Sequence, residues 1–173
     1  MAERVAVGRA GRGAAMCALL LGFFLAQAPA RAEAPAAAPD FALKALGGGN
    51  HRLSEHRGEV VALLFWGSWC GGCRGELERL ERLGATYGGA GLVAFGVVLD
   101  KEPGEARAVA SALGLSLPQL HDARREVARA YRPERLPTLL LIDRGGAVRH
   151  AYGELDSRAE RAMLADLRSL LDE

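Results

Sequence analysis

Cysteine is scarce. The 173 residues contain three, far too few for a disulfide-dense scaffold. Neither sign of charge dominates: 22 lysines and arginines stand against 21 aspartates and glutamates, so no basic field argues for nucleic acid. A membrane-spanning helix needs about 20 apolar residues, and the apolar run from Ala14 to Ala26 has 13. Internal repeats and a second domain are absent. Four histidines, His51, His56, His121 and His150, are scattered and unpaired; with the cysteines they do not compose the four-ligand pattern of a zinc site. Half of the residues are hydrophobic and a quarter charged, as in an ordinary globular protein. The length suits one compact domain plus an export signal.

What is present begins with a three-part N-terminus. Met1 to Gly13 is basic, Ala14 to Ala26 is apolar, and Ala30-Arg31-Ala32 fits an A-x-A cleavage site before Glu33. Residues 1–32 therefore read as a secretory signal peptide, with a retained N-terminal membrane anchor as the alternative. Cys17 lies early in the apolar run, so a lipidated cysteine is not indicated, and Arg9 and Arg12 are not adjacent as in a twin-arginine signal. Residues 33–39 form an Ala/Pro linker, and 40–173 the domain. Without residues 1–32 the chain carries 18 basic and 20 acidic residues, a balance that names no electrostatic partner. Removal of the signal leaves Cys70 and Cys73, in a periplasmic or other extracytoplasmic compartment where disulfides persist.

The domain alternates strand and helix signals. Phe41–Leu46 and His51–Leu53 flank Gly47-Gly48-Gly49-Asn50, a hairpin or irregular N-terminal extension, and Ser54 is placed to cap a short helical turn. Val60–Trp66 is a continuous apolar run, read as a buried strand. A helix follows from Cys70 to about Tyr87, with Leu77, Leu80, Gly84 and Tyr87 inward. Leu92–Leu99 is the next strand. Ala106, Val109, Ala110 and Leu113 mark a helix ending at Gly114. Another helix runs from Asp122 to Tyr131, with Ala123, Val127, Ala130 and Tyr131 inward. Thr138–Ile142 and Ala147–Tyr152 form a hairpin about the turn 143–146. The last helix starts near Ser157 with a Ser157-x-x-Glu160 capping box and buries Met163, Leu164, Leu167 and Leu170. The fold class is α/β: a central mixed sheet flanked by helices, with an N-terminal hairpin extension.

The chemistry lies in Trp69-Cys70-Gly71-Gly72-Cys73, between a buried strand and a helix. Cysteines three apart at a helix start share a face, so their sulfurs can meet in one disulfide. The amides and positive dipole end there favour the Cys70 thiolate, the nucleophile of disulfide exchange. Cys73, one turn in and more buried, resolves the mixed disulfide that Cys70 forms. Three other readings compete: a zinc site, for which the scattered histidines are the only further ligands; a structural disulfide, weakened because so small a loop scarcely constrains an unfolded chain; and a copper carrier using both thiolates as soft ligands.

Pro39-Asp40-Phe41, Leu53-Ser54-Glu55-His56-Arg57-Gly58, Phe65-Trp66 with the Cys70–Cys73 motif, and Leu136-Pro137-Thr138 recur in this order in the TlpA/ResA-like branch of the thioredoxin superfamily, which the chain resembles over about residues 38–160. The resemblance implies a thioredoxin fold and a disulfide reductase acting on exported proteins, including cytochrome c maturation, fed by a membrane thiol-electron donor and needing no cofactor or metal. It makes Pro137 a cis-proline beside the disulfide, with Leu136 and Thr138 free to meet an extended substrate strand; the alternative is that Pro137 merely begins a strand. It also marks Glu76, where relatives carry an acid that could relay the Cys73 proton; the alternative is an ordinary first-turn glutamate. Trp69 would wall the site. Two departures stand out: Gly72 replaces a common proline, and Leu64 replaces the buried acid of thioredoxins proper. A peroxiredoxin alternative shares Pro39-Asp40-Phe41, but its P-x-x-x-T-x-x-C pattern falls on Leu63 and Gly67. Copper carriers of the related Sco type space their cysteines by three residues and add a distal histidine, which this pattern lacks.

Overall fold

The computed structural model describes residues 36–173. The signal peptide or anchor expected at 1–32 lies outside them. No helix among the described residues is long and apolar enough to cross a membrane.

The centre is β3 (Val60–Trp66), all seven residues of which are buried. Strand β4 (Leu92–Val98) runs parallel on one side of it. Strand β6 (Thr138–Ile142) runs antiparallel on the other. Beyond β4 lies β5 (Gln119–His121), and beyond β6 lies β7 (Val148–Tyr152), giving the order β5-β4-β3-β6-β7. A strand covered on both faces reads as an unbroken apolar run, and the alternation survives in where its side chains go. Val60, Ala62, Leu64 and Trp66 meet Leu77 and Leu80 of α1 (Cys73–Tyr87), Ala106 of α2 (Pro103–Ala112) and Met163 and Leu167 of α4 (Ser157–Asp172). Val61, Leu63 and Phe65 face Val127 of α3 (Glu126–Tyr131) and Phe41 and Leu53 of the N-terminal hairpin. That hairpin pairs β1 (Ala42–Lys44) with β2 (Asn50–Arg52). Its loop turns through Gly48 and Gly49 at φ 102° and 81°, a region that favours glycine.

Several expected boundaries move, each for a local reason. Strand β5 escapes the sequence reading because three residues cannot show a period. Helix α3 begins at Glu126 rather than Asp122: Arg125 takes a left-handed φ of 54°, while the Asp122 carboxylate accepts the N–H groups of Glu126 and Ala128 at 2.9 and 2.8 Å. Ala123 and Ala130 are consequently exposed. At α4 the cap is Asp156, whose side chain accepts from Arg158 and Ala159 at 2.8 and 2.7 Å; Ser157 is the first helical residue, and Leu164 is only half-buried. Ser54 lies inside the 3-10 turn Leu53–His56 and donates its N–H to Asp40 at 2.9 Å instead of capping. The described end of the 33–39 stretch is docked, with Ala38 N–H on Gly146 O and Val148 N–H on Ala36 O, both at 2.9 Å.

Candidate active site

Strand β3 delivers the chain to the carboxyl edge of the sheet, where open α/β folds place their sites. The segment from Gly67 to Gly72 makes two successive turns: Cys70 N–H bonds Gly67 O at 3.0 Å, and Cys73 N–H bonds Cys70 O at 3.2 Å. Helix α1 therefore starts at Cys73, three residues later than the spacing suggests. Gly72 is its N-cap and supplies no side-chain acceptor, so beyond the Cys73 N–H the first-turn amides have no side-chain cap. Cys70 and Cys73 are joined as a disulfide, Cα to Cα 5.4 Å. Cys73 is 1% exposed and packs in the core, whereas Cys70 is half-buried at its edge. Leu64, buried on β3, belongs to the same core cluster as Cys73.

The turn is anchored from β4. Asp100, just past the strand and 4% exposed, accepts the Ser68 N–H at 3.0 Å and also the Ser68 hydroxyl. That hydroxyl lies 3.0 Å from Glu105 of α2 as well. Trp69 follows and is 56% exposed, the one large hydrophobic side chain so placed among the described residues. Its indole folds back over Gly67, where an added Cβ would lie 2.7 Å from ring carbons, so this close approach requires glycine. The Arg125 guanidinium lies 5.3 Å from the ring centroid.

The second wall comes from the Leu136–Pro137 segment, whose peptide bond is cis. Thr138 begins β6 opposite Phe65 of β3, which carries Leu136 and Pro137 to the same sheet edge as the Gly67–Cys70 turn. Leu136 shares a groove with Trp69, Leu99 and Arg125. Pro137 is buried and Thr138 half-buried, with the Thr138 hydroxyl donating to Arg135 O at 2.6 Å.

Glu76 is 5% exposed and lies one helical turn after Cys73. Its Oε1 accepts the Leu155 N–H at 3.1 Å, and its Oε2 accepts from Arg79 Nε at 3.2 Å. Arg79 is shared with Glu160 at 2.8 Å. Burial raises the Glu76 carboxyl above the ordinary glutamate value, the Leu155 N–H and Arg79 oppose that rise, and the nearby charges of Glu160 and Glu154 add to it. Glu154, unnoticed in the sequence, covers Gly72: a Cβ there would lie 3.2 Å from the Glu154 carboxyl carbon. Nothing in the spacing links residues so far apart. Asp100 was more accessible to reading, because it directly follows a buried strand. Among the described residues no three of His, Cys, Asp or Glu gather to hold a metal ion.

Comparison with known proteins agrees with this geometry. The AhpC/TSA family matches residues 35–151. A protein of Geobacillus kaustophilus strain HTA426 named thiol-disulfide oxidoreductase ResA is 38% identical over 112 residues, covering 65% of this chain and 64% of that one. A protein of the same name from Halalkalibacterium halodurans is 31% identical over 143 residues, covering 82% and 80%. The chain thus spans a little under two thirds of the first relative's length. A crystal structure from Chlorobium tepidum, provisionally described as thiol:disulfide interchange protein DsbE, superposes with a TM-score of 0.75 at 31% identity, covering 79% of this chain and 96% of that one.

Proposed function

The chain belongs to the AhpC/TSA family, and from that premise we propose that it is a thiol–disulfide oxidoreductase that reduces disulfides of exported proteins at Cys70 and Cys73. Its mixed five-stranded sheet flanked by helices is a thioredoxin fold. The observation that carries the reading is the asymmetry of the pair: a partly buried Cys70 ahead of a helix start, bonded to a fully buried Cys73.

In the reduced protein, the Cys70 thiolate attacks one sulfur of a client disulfide. A mixed disulfide forms, and the other client sulfur leaves as thiolate. Cys73 then loses its proton and attacks Cys70 Sγ. The Cys70–Cys73 disulfide closes, and the client departs with both cysteines reduced. Two electrons have passed from the protein to the client, and a membrane thiol donor restores the dithiol. Glu76, one helical turn beyond Cys73, is our choice of acceptor for the Cys73 proton; burial, which raises its carboxyl, supports that reading. Trp69, Leu136, Pro137 and Thr138 are the substrate-binding wall. The signal-like residues 1–32 support an extracytoplasmic, cleaved or anchored form, and apocytochromes c are one class of client that the resemblance suggests.

Family membership does not imply a peroxidase here. With Cys70 as the reacting thiol, Leu63 and Gly67 occupy the positions of the proline and threonine in P-x-x-x-T-x-x-C. The test is insulin reduction by dithiothreitol with the protein as catalyst. Wild type accelerates it and Cys70→Ser does not; equal rates for the two overturn the reading. Equilibration with glutathione sets the direction: a strongly reducing potential supports reductase action, and an oxidant-like value reverses the electron flow.

A further inference from the structure

The near-even charge balance beyond residue 32 conceals an uneven arrangement. The groove running from Trp69 is lined by Arg125, Arg129, Arg132 and Arg135 against a single acid, Glu134. Arg129 lies on α3, Arg125 and Arg132 flank its two ends in left-handed conformation, and all four are exposed. Of the sixteen described arginines only Arg52, Arg79, Arg124 and Arg149 have a carboxylate partner, so it is the gathering of the groove arginines, not their lack of a partner, that sets them apart. Among the described residues the four groove arginines have none. Arg125 instead bonds Leu99 O through Nε at 3.2 Å and lies against the Trp69 ring. Between the guanidiniums the surface is apolar, formed by Leu99, Ala128, Pro133 and Leu136.

We propose that this groove docks an acidic segment of the client, a stretch bearing aspartates or glutamates beside the disulfide to be reduced; the inference rests on the reductase reading above. Three features of the site fit that partner. Guanidiniums present paired N–H donors matched to carboxylates. A cluster of one sign in a concave surface raises the encounter rate with the opposite sign by an order of magnitude or more. The exposed indole, which directly precedes Cys70 in the chain, and the apolar floor supply short-range contact for the chain between the acids. An anionic membrane surface is the competing partner, but the arginines are gathered around Trp69 and Leu136, the residues that adjoin Cys70 and Pro137 in the chain, which favours a partner that must also meet the redox motif.

The test uses two disulfide peptides identical except for flanks of aspartate and glutamate or of lysine. The full-length reduced protein reduces the acidic-flanked peptide with a kcat/KM at least about tenfold higher at low ionic strength, and the advantage shrinks as salt screens it. Arg129→Glu with Arg135→Glu inverts the preference, an outcome that misfolding cannot produce. Equal rates, a preference for the basic peptide, or a preference that survives the double reversal would overturn the proposal, as would capture of the protein by phosphatidylglycerol vesicles without peptide discrimination. Binding of serine-substituted versions of both peptides to the oxidised protein, read by fluorescence anisotropy, separates the two layers of argument. Tighter binding of the acidic peptide without any insulin reduction upholds the groove and removes the reductase reading. Insulin reduction without discrimination does the reverse.

Discussion

The two flanks of the Cys70–Cys73 motif are built on opposite plans. On the Cys73 side, Glu76 is buried with both carboxylate oxygens bonded, and Arg79 is shared between Glu76 and Glu160. On the Trp69 side, an exposed indole and four arginines that have no carboxylate partner among the described residues face solvent. The inner flank has satisfied its polar groups within the fold, which a low-dielectric site demands. The outer flank leaves most of its charged groups to water, which costs little there. A pair of thiols needs both surroundings: one sulfur held out of water until its turn, the other presented where a second chain can reach it.

The comparison breaks first at the sulfurs. Cys70→Ser is expected to reduce insulin turnover to the uncatalysed background, whereas Cys73→Ser leaves a protein that still reacts but stalls as a mixed disulfide, visible as an added mass. Next in size is Glu76→Ala, which strands the Leu155 N–H in a buried place. Loss of about 1–3 kcal/mol is expected, measured by urea unfolding. Arg129→Ala, on the outer flank, should change stability by less than about 0.5 kcal/mol. Similar costs at the two positions would dissolve the distinction.

A subtler effect concerns pH. Because the folded chain holds the Glu76 carboxyl above its ordinary value, there is a pH interval in which the native state keeps a proton that the unfolded chain has released. Unfolding free energy therefore falls as pH rises through that interval. Glu76→Gln is expected to remove that component, read from urea midpoints across a mildly acidic pH series. The smallest effect is expected of Gly72→Ala. The added methyl meets only the far end of the exposed Glu154 side chain, so a stability change below about 0.5 kcal/mol is expected. A larger loss would show Glu154 to be fixed over the motif.

Much of this was legible before the fold was known, wherever the cause is local. Val60–Trp66 and Thr138–Ile142 are apolar runs because both faces of β3 and β6 are covered, and α4 carries its period openly. The redox pair announces itself by spacing. What could not be read is what folding brings together from afar. Glu154 reaches Gly72 through the end of β7, and Asp100 reaches Ser68 through the end of β4. Arg125, Arg129, Arg132 and Arg135 look like an ordinary solvated face until Trp69 and Leu136 are placed among them. Helix α1 starts later than the cysteine spacing suggests because two glycines and two turns intervene before regular helix, a departure that hydrophobic periodicity does not report.

The division of labour between the sulfurs is tested most directly by trapping. Reduced Cys73→Ser and Cys70→Ser proteins are each exposed to a disulfide peptide, and the modified cysteine is located by mass spectrometry of the digested chain. A peptide adduct on Cys70 in the first variant, with Cys73 in the second reacting far more slowly, is the result this account predicts. Equally rapid adducts on Cys73, or none on Cys70, would contradict it.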